Sequence, residues 1–328
     1  MGEASYLKLH NSGELAQRAE SLLERLVSCD LCPRTCSVDR ISGAAGFCRT
    51  ARESVVASAC VHRGEEPPIS GSHGSGTIFF SGCNLRCVFC QNYQISQGSP
   101  LAGVRLDADG LASAMCDLQD AGCHNINLVS PSHVVAQIVE ALALAVPGGL
   151  TLPLVYNTNA YDSVDVLRML DGVVDLYLPD LKYSSDAVAA RFSAVSDYVE
   201  RSRAAILEMY RQVGDRLVLA DGAAQRGLIV RHLVLPGGLA GTRECLTWLA
   251  RNVSTEVTLS LMSQYYPAHR AGEFPLLSRR TTPSEYAEAV RVARDLGFEH
   301  VWVQDETAQA HYRPDFDAHD HPFERPST

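Results

Sequence analysis

Three cysteines occupy a stretch of eight residues in this 328-residue chain, Cys83, Cys87 and Cys90, in the pattern C-x-x-x-C-x-x-C. Zinc takes four ligands in a tetrahedron and usually draws them from paired C-x-x-C motifs, so three thiolates from one short loop leave a zinc site one ligand short. A four-iron iron–sulfur cluster accepts three cysteines from such a loop and keeps one iron with an open position. The pattern therefore predicts an iron–sulfur cluster, and a structural zinc ion that borrows a fourth ligand is the alternative.

A second group of cysteines lies upstream, in the pattern C-x-x-C-x-x-x-C followed by a fourth cysteine after a glycine-containing loop. These upstream cysteines are Cys29, Cys32, Cys36 and Cys48. Residues 29–60 hold too few apolar side chains for a core of their own, and four thiolates around one metal centre would organise them. Four cysteines suit either zinc or a second four-iron cluster, and both remain open.

The composition is that of a globular protein, with 46% hydrophobic residues and a formal net charge of −10. The apolar fraction excludes a disordered or fibrous chain, and the absence of a basic stripe argues against nucleic acid as a partner. The first thirty residues contain no apolar signal segment, and the most apolar stretch, residues 134–146, is too short to span a bilayer. We therefore expect a cytoplasmic protein with no membrane partner.

From residue 77 onward, short apolar runs alternate with helical patterns. Strands are predicted at 77–81, 125–129, 153–157, 173–178, 228–235 and 257–262, with 300–306 as a further candidate. Helices are predicted at 13–27, 107–121, 133–145, 162–170, 240–251 and 284–296, with two more before residue 212. Six strand-plus-helix units predict an α/β domain with a parallel sheet, either doubly wound or a partial barrel. This domain would cover residues 77–310, between an N-terminal helix with a Cys-rich extension (1–76) and a C-terminal tail (311–328).

Two smaller expectations concern the ends of the chain. Asn11 and Glu14, three residues apart, predict a capping box at the start of the first helix. His311, His319 and His321 lie in an acidic, proline-containing tail, where we expect a solvated terminus instead of a metal site.

Polar residues, glycine or proline follow each of the six predicted strands. In chain order these segments read GCNLRCVFCQN, SPSH, NTNAY, PDLKY, PGG and SQYYP. The C-terminal ends of parallel strands meet at one edge of a sheet or barrel, where α/β enzymes build their sites. We therefore expect the six segments to form one shared mouth.

The loop of residues 83–90, with the aromatic Phe89 before its last cysteine, resembles the signature of the radical S-adenosylmethionine (SAM) superfamily. FFSGCNLRCVFCQNYQIS, INLVSPSHV, VYNTNAYDS, DLYLPDLKY, RHLVLPGGLAG and MSQYYP are together similar to the pyruvate formate-lyase-activating-enzyme-related iron–sulfur proteins, as are the CDLCPRTC and GEEPPISG segments. The resemblance implies a partial (β/α)6 TIM-like barrel and a [4Fe-4S] cluster whose open iron is chelated by the methionine end of SAM. It also implies that an electron from a low-potential donor such as flavodoxin or ferredoxin cleaves SAM. The resulting 5′-deoxyadenosyl radical would abstract hydrogen from an unidentified small-molecule, peptide or protein substrate.

The resemblance and the predicted mouth together point to nine cofactor-binding residues. They are Phe89, Ser130, His133, Asn157, Thr158, Asn159, Asp180, Lys182 and His232. Ser130 and His133 stand where many members carry a Gly-Gly-Glu that grips the amino group of the cofactor. Residues 157–159 stand where activating enzymes have a turn near its methionine carboxylate and ribose. Either Asp180 binds a monovalent cation or the cofactor and Lys182 offsets a carboxylate, or the two form a buried ion pair that closes the mouth. His232 either hydrogen-bonds the cofactor or substrate, or is a satisfied core histidine.

Three other functions remain open. A glycyl-radical-enzyme activase acting on a partner protein is one. Such enzymes carry extra clusters in an insertion after the cysteine loop, whereas residues 91–115 of this chain contain no cysteine. A non-catalytic iron–sulfur electron carrier would not need polar segments after five further strands. A zinc-stabilised binding protein would be colourless when purified.

Overall fold

The computed structural model describes residues 3–304, 314–316 and 321–323. Its strands are β1 Ser54–His62, β2 Ser75–Phe80, β3 Val104–Leu106, β4 Ile126–Val129, β5 Leu154–Thr158, β6 Leu176–Pro179, β7 Val218–Ala220, β8 Ala223–Leu233, β9 Thr258–Met262 and β10 Val301–Val303. Its α-helices are α1 Tyr6–Asn11, α2 Glu14–Glu24, α3 Pro67–Ser70, α4 Tyr93–Ser96, α5 Ala108–Asp120, α6 Val135–Ala145, α7 Val164–Met169, α8 Asp186–Ser193, α9 Tyr198–Val213, α10 Thr242–Asn252 and α11 Pro283–Asp295. Every strand and helix expected from residue 77 onward is present, with ends shifted by a few residues. Within the described ranges, no helix is long and apolar enough to cross a membrane.

The parallel strands lie side by side in the order in which the chain makes them. This order is β2, β4, β5, β6, β8, β9 and β10. A doubly wound sheet reverses its strand order at a switch point, whereas this sheet advances in one direction, as a barrel does. β1 pairs antiparallel with β2, and β3 pairs antiparallel with β1, so these two strands extend the β2 side. The fold is therefore the expected partial barrel, with β3 and β10 at its two edges.

The N-terminal helices pack on the outside of the barrel and share its core. Leu15 and Leu22 of α2 are fully buried and belong to the same apolar cluster as Ile138 and Leu142 of α6. Burying a leucine side chain contributes roughly 2 kcal/mol to stability. The predicted helix over residues 13–27 is thus a docking helix, and its docking partner is α6.

The predicted capping box at the start of this helix is wrong. Asn11 ends α1 instead, and the N-cap of α2 is Gly13, which makes no side-chain hydrogen bond to the helix. Two helices follow each other here with only two linker residues, so the chain must turn sharply. Gly13 has φ of 79°, a left-handed conformation that glycine adopts without steric cost.

The short helix α3 closes the barrel interior toward the N-terminal ends of the strands. Ile69 of this helix is fully buried and clusters with Val155, Leu176 and Ile229, from β5, β6 and β8. These strand residues face the interior, opposite to the side that the outer helices cover. The helix therefore forms a floor below the space at the C-terminal ends of the strands.

Two C-terminal pieces, residues 314–316 and 321–323, pack beside β1 and β2. The ring of Phe323 stacks on that of His62 with centroids 4.0 Å apart, and Phe316 meets Phe79 edge-on at 5.3 Å. Aromatic pairs of this kind add about 1 kcal/mol beyond the area they bury. The chain after the last strand thus returns to the first parallel strand.

The expectation of a solvated tail is wrong for His321. Its Nε2 shares a hydrogen bond with the carbonyl oxygen of Val61 at 3.1 Å, so the residue packs against β1. His311 and His319 lie outside the described residues.

Candidate metal and cofactor site

A loop of three cysteines follows β2 and lines a cavity of about 530 Å³, the first cavity. These cysteines are Cys83, Cys87 and Cys90, and the loop of residues 83–90 is the cysteine loop. Its apolar side chains fix it to the barrel, since Phe89 is 6% exposed and meets Tyr265 edge-on with centroids 5.8 Å apart. The backbone N–H of Val88 donates to the carbonyl oxygen of Phe192 at 2.8 Å. The loop is therefore held by both packing and hydrogen bonds.

Each sulfur of the cysteine loop has a hydrogen-bond partner. The partners are the backbone N–H of Leu85 (3.4 Å) and the side-chain amide of Asn159 (3.5 Å) for Cys83, the hydroxyl of Ser193 (3.0 Å) for Cys87, and the hydroxyl of Ser96 (3.2 Å) for Cys90. Donors directed at a sulfur stabilise the thiolate, which is the form that ligates a metal. The surroundings of the loop thus suit metal ligation.

The cysteine loop also has the spacing of a cluster site. Burial raises the pKa of the Cys83 thiol to about 12 and that of Cys90 to about 11, so metal binding would release protons from them. Among the described residues, one set of Cys, His or acidic side chains has three ligand atoms within 4.8 Å of one another, and it is Glu256, Glu299 and His300. The loop sulfurs are therefore spread more widely, whereas sulfurs bound at 2.3 Å to one tetrahedral ion lie about 3.8 Å apart. Their spread suits a cluster, in which each cysteine ligates a different iron.

A buried network of charges forms another wall of the first cavity. Asp180 is its centre, because its Oδ1 accepts from Arg231 Nε at 2.9 Å and its Oδ2 accepts from Lys182 Nζ at 2.6 Å. Arg231 also donates to Asn157 Oδ1 and lies 3.8 Å from Glu65 Oε2. Burial by itself raises the pKa of Asp180, but Arg231 and Lys182 outweigh it and hold that pKa below its ordinary value. The buried ion pair that the sequence left open is thus present, and both oxygens of Asp180 are occupied.

Two glutamates from the segment before α3 complete this network. Glu65 Oε1 accepts a hydrogen bond from Asn127 Nδ2 at 3.0 Å. Glu66 Oε2 is buried and has no hydrogen-bond partner among the described residues. Burial raises the pKa of both carboxyls, and Arg231 opposes that rise. Glu66 lines the first cavity through its other atoms, while this oxygen is buried beside it.

Seven of the nine expected cofactor-binding residues line the first cavity together with the three cysteines. They are Phe89, Ser130, Asn157, Thr158, Asn159, Asp180 and Lys182. Ser130 has φ of 59°, and left-handed backbone at a residue other than glycine is typical of functional sites. The hydroxyl of Thr158 donates to Asp162 Oδ2 at 2.6 Å, so its side chain is engaged in the protein.

His232 is not among the residues that line the first cavity. It is fully buried, and its two ring nitrogens hydrogen-bond to the carbonyl oxygen of Leu181 at 2.7 Å and to Thr242 Oγ1 at 2.9 Å. Side chains alternate along a strand, so Arg231 reaches the barrel interior and His232 the side of the helices. The structure therefore has the satisfied core histidine, and not the cofactor contact.

His133 also lies outside the lining of the first cavity. Its Nε2 shares a hydrogen bond with the carbonyl oxygen of Ser81 at 2.9 Å, and burial lowers its pKa to about 4, so the ring is neutral. Its carbonyl oxygen accepts a hydrogen bond from Arg40 at 2.8 Å. His133 thus ties the end of β2 to the upstream segment.

Sequence reasoning missed Glu65, Glu66 and Arg231. The two glutamates stand in GEEPPISG, which by itself indicates only a polar, proline-containing loop. For Arg231 a signal was present, because an arginine in the otherwise apolar strand LIVRHLVL must find a partner inside the protein.

The structure brings the four upstream cysteines together around a smaller, second cavity. Its lining includes Cys29, Cys32, Cys36 and Cys48, with Arg40, Asn84 and His133. Residues 25–53 around them form no helix or strand. Asn84 lines this second cavity, while its neighbours Cys83 and Leu85 line the first. The two cavities therefore lie on opposite sides of the cysteine loop.

No protein-family model matches the chain. A solved structure of a radical SAM methyltransferase from Sphaerobacter thermophilus overlays on it with a TM-score of 0.46 and 15% identity, covering 72% of this chain and 68% of that chain. The FeFe-hydrogenase maturase HydG from Carboxydothermus hydrogenoformans gives a TM-score of 0.47 and 13% identity over 70% of this chain and 53% of that chain. Overlays at this level describe a partial likeness of the backbone.

A curated relative matches the chain much more extensively. The uncharacterized protein MJ0674 of Methanocaldococcus jannaschii is 31% identical over 283 residues, which cover 84% of this chain and 77% of that protein. The match therefore extends over most of both chains. By this identity and coverage, the chain belongs to the family of MJ0674.

Proposed function

We propose that the chain is a radical SAM enzyme in which Cys83, Cys87 and Cys90 hold a [4Fe-4S] cluster with one open iron. The observation that carries this proposal is the juxtaposition of three widely spaced cysteine sulfurs with a cavity of about 530 Å³. A space of this size is typical of sites for small molecules and cofactors. A cluster that only transfers electrons needs no such space beside it, so an enzyme is favoured over an electron carrier.

When bound, the cluster and SAM would supply one-electron cleavage of the cofactor and a 5′-deoxyadenosyl radical that takes hydrogen from the substrate. The residues of this chain hold the ligands and exclude water. Asn159 and Ser193 direct donors at the sulfurs of Cys83 and Cys87. The buried ring of Phe89 packs the loop against the barrel and keeps solvent from its inner side.

Ser130, Asn159 and Lys182 are the residues that we propose for the polar groups of SAM. All three line the first cavity. Lys182 carries three N–H donors, and the described residues occupy one of them, through Asp180. Burial lowers the pKa of Lys182, but Asp180 outweighs it and raises that pKa above its ordinary value, so the ammonium is charged. Its remaining donors suit the carboxylate of the methionine part.

The substrate would lie toward the floor of the first cavity, which Glu65 and Glu66 line. Met262 and Trp302 line the same cavity and offer apolar surface. We therefore propose a substrate that presents a hydrogen-bond donor or a positive charge to the two glutamates.

Three finer points stay predictions. They are the kinship with the pyruvate formate-lyase-activating-enzyme-related proteins, a one-electron donor of the flavodoxin or ferredoxin class, and a cytoplasmic location. An external donor is part of the proposal because the cluster must be reduced before each cleavage.

Reductive cleavage of SAM tests the proposed function. The protein is reconstituted anaerobically with iron and sulfide and then mixed with dithionite and SAM, and 5′-deoxyadenosine and methionine are quantified. We expect both products from the wild type and neither from Cys83→Ala, Cys87→Ala or Cys90→Ala. Cys116→Ser is the matched control, because the Cys116 sulfur lies on α5 beside the carbonyl of Ala145 and lines neither cavity. Cleavage at the wild-type rate by the three alanine variants would overturn the proposal.

A further inference from the structure

The four upstream sulfurs are spaced too widely for the ligand sphere of a single ion. In a tetrahedral zinc site, four sulfurs lie about 2.3 Å from the metal and therefore about 3.8 Å from one another. No three of the upstream sulfurs lie within 4.8 Å of one another, and all four cysteines are among the described residues. The four sulfurs are therefore farther apart than the ligands of a tetrahedral zinc ion.

A buried arginine faces the second cavity without a carboxylate. Arg40 is 1% exposed, and its guanidinium lies 3.7 Å from the sulfur of Cys29. Its other bonds go to backbone carbonyl oxygens, of His133 at 2.8 Å and of Ala51 at 3.0 and 2.9 Å. Within the part of the chain that the structure describes, no carboxylate lies within 4.0 Å of it. A buried charge without a counter-charge is strongly destabilising, so this site calls for an anionic group.

We propose that Cys29, Cys32, Cys36 and Cys48 bind a second four-iron cluster. Each cysteine would take one iron, so no iron stays open and SAM has no place to bind there. Four thiolates outweigh the positive charge of the cluster core, and Arg40 offsets part of the excess. The N–H of Phe47, 3.5 Å from the sulfur of Cys36, is a further donor to the ligand set.

The second cluster would stabilise the segment of residues 25–53, which contacts the cysteine loop. Arg34 Nε donates to the carbonyl oxygen of Asn84 at 2.9 Å, and Arg86 of the loop donates to that of Phe47 at 3.1 Å. The ring of Phe47 lies between the two guanidinium groups, with centroid distances of 3.8 and 4.1 Å. Residues 25–53 have no secondary structure of their own, so metal ligation would fix these contacts.

Metal analysis of a variant without the first site tests this inference independently of SAM chemistry. The triple variant Cys83→Ser, Cys87→Ser, Cys90→Ser is reconstituted anaerobically with iron and sulfide in the presence of equimolar zinc, and metals, sulfide and the Mössbauer spectrum are measured. We expect about eight irons per chain in the wild type and about four, with about four sulfides and no zinc, in the triple variant.

Two additions to the triple variant separate ligand loss from misfolding. Adding Cys36→Ser should remove the four-iron Mössbauer signal, whereas adding Cys116→Ser should retain it; circular dichroism reports the fold of both. Uptake of one zinc and no iron by the triple variant, or of neither metal, would overturn the inference. If the wild type does not cleave SAM but the triple variant keeps about four irons, the proposed function fails and the second cluster stands.

Discussion

Gly82, the residue before the first cysteine of the cysteine loop, lies directly against the carbonyl oxygen of Cys48, so a Cβ at residue 82 would overlap that oxygen. The same Cβ would come within 3.2 Å of His133 Nε2. Gly82 also has φ of +86°, in the left-handed region. The backbone just before the cysteine loop therefore packs directly against the backbone at Cys48, and the two cavities are parts of one continuous structure.

We expect Gly82→Ala to destabilise the protein by about 2–4 kcal/mol. A side chain in left-handed backbone costs about 1 kcal/mol, and the overlap with Cys48 adds the cost of displacing packed backbone. Gly122→Ala is the matched control, because Gly122 has φ of +84° and no atom within 4 Å of a built Cβ; its expected cost is about 1 kcal/mol. Unfolding in urea measures both, and equal losses would contradict the packing of Gly82 on Cys48.

The strands and helices of the barrel could be predicted because each element depends on its own stretch of sequence. NINLV and VTLSLM, for example, are short, mainly apolar runs, which are typical of strands buried on both faces, and they form β4 and β9. The cysteine loop was equally local, since a turn after a buried strand carries all three ligands. The helix α3 was missed because PPIS is too short for a helical pattern, and contacts with distant strands hold it inside the barrel.

The glutamates of the charge network could not be predicted for the same reason. Glu66 reaches the first cavity only because α3 closes the floor beneath it, and nothing near it in sequence indicates this. At β8 the sequence analysis considered His232, as a cofactor contact or as a core histidine, and did not consider its neighbour Arg231. Alternation alone does not say which of two neighbours faces inward, and the structure places His232 on the side of the helices.

Arg231→Met should cost about 3–5 kcal/mol in the free energy of unfolding. The substitution removes a buried partner of Asp180 and leaves buried carboxylates without a counter-charge. Removing one partner of a buried ion pair is strongly destabilising, because the remaining charge stays buried without compensation. Arg168→Met offers the comparison, since Arg168 pairs with Asp165 at 3.1 Å on the exposed surface, and its loss should cost less than about 1 kcal/mol. Similar losses for the two variants in urea titrations would refute the network.

Glu66→Gln should raise stability more at pH 8 than at pH 5. Burial raises the folded-state pKa of Glu66 above its ordinary value of 4.5, with Arg231 opposing, so the folded protein holds a proton that the unfolded chain releases. The stability from this group is complete below pH 4.5 and is lost as the pH rises through the folded-state pKa. Glutamine does not ionise and avoids this loss. Urea titrations of both proteins at several pH values measure the difference, and a difference that does not vary with pH would count against the buried, unoccupied carboxyl.

Asn159→Ala should make the reduction potential of the cluster at the cysteine loop more negative, provided that the proposed function holds. The variant loses the donor 3.5 Å from the Cys83 sulfur, and such donors favour the reduced, more negative cluster. Asn157→Ala is the control, because Asn157 lines the same cavity but bonds to Arg231 and Glu65 instead of a sulfur. A redox titration followed by electron paramagnetic resonance compares them, and an unchanged potential in Asn159→Ala would argue that this contact does not tune the cluster.

The most direct measurement is the electron paramagnetic resonance spectrum of the dithionite-reduced protein with and without SAM. A ligand that binds an open iron changes the signal of its cluster, and a fully ligated cluster does not respond. We predict that SAM shifts the signal of the wild type and leaves that of the triple variant Cys83→Ser, Cys87→Ser, Cys90→Ser unchanged. A wild-type spectrum that is identical with and without SAM would contradict the assignment of Cys83, Cys87 and Cys90 to a cluster with an open iron.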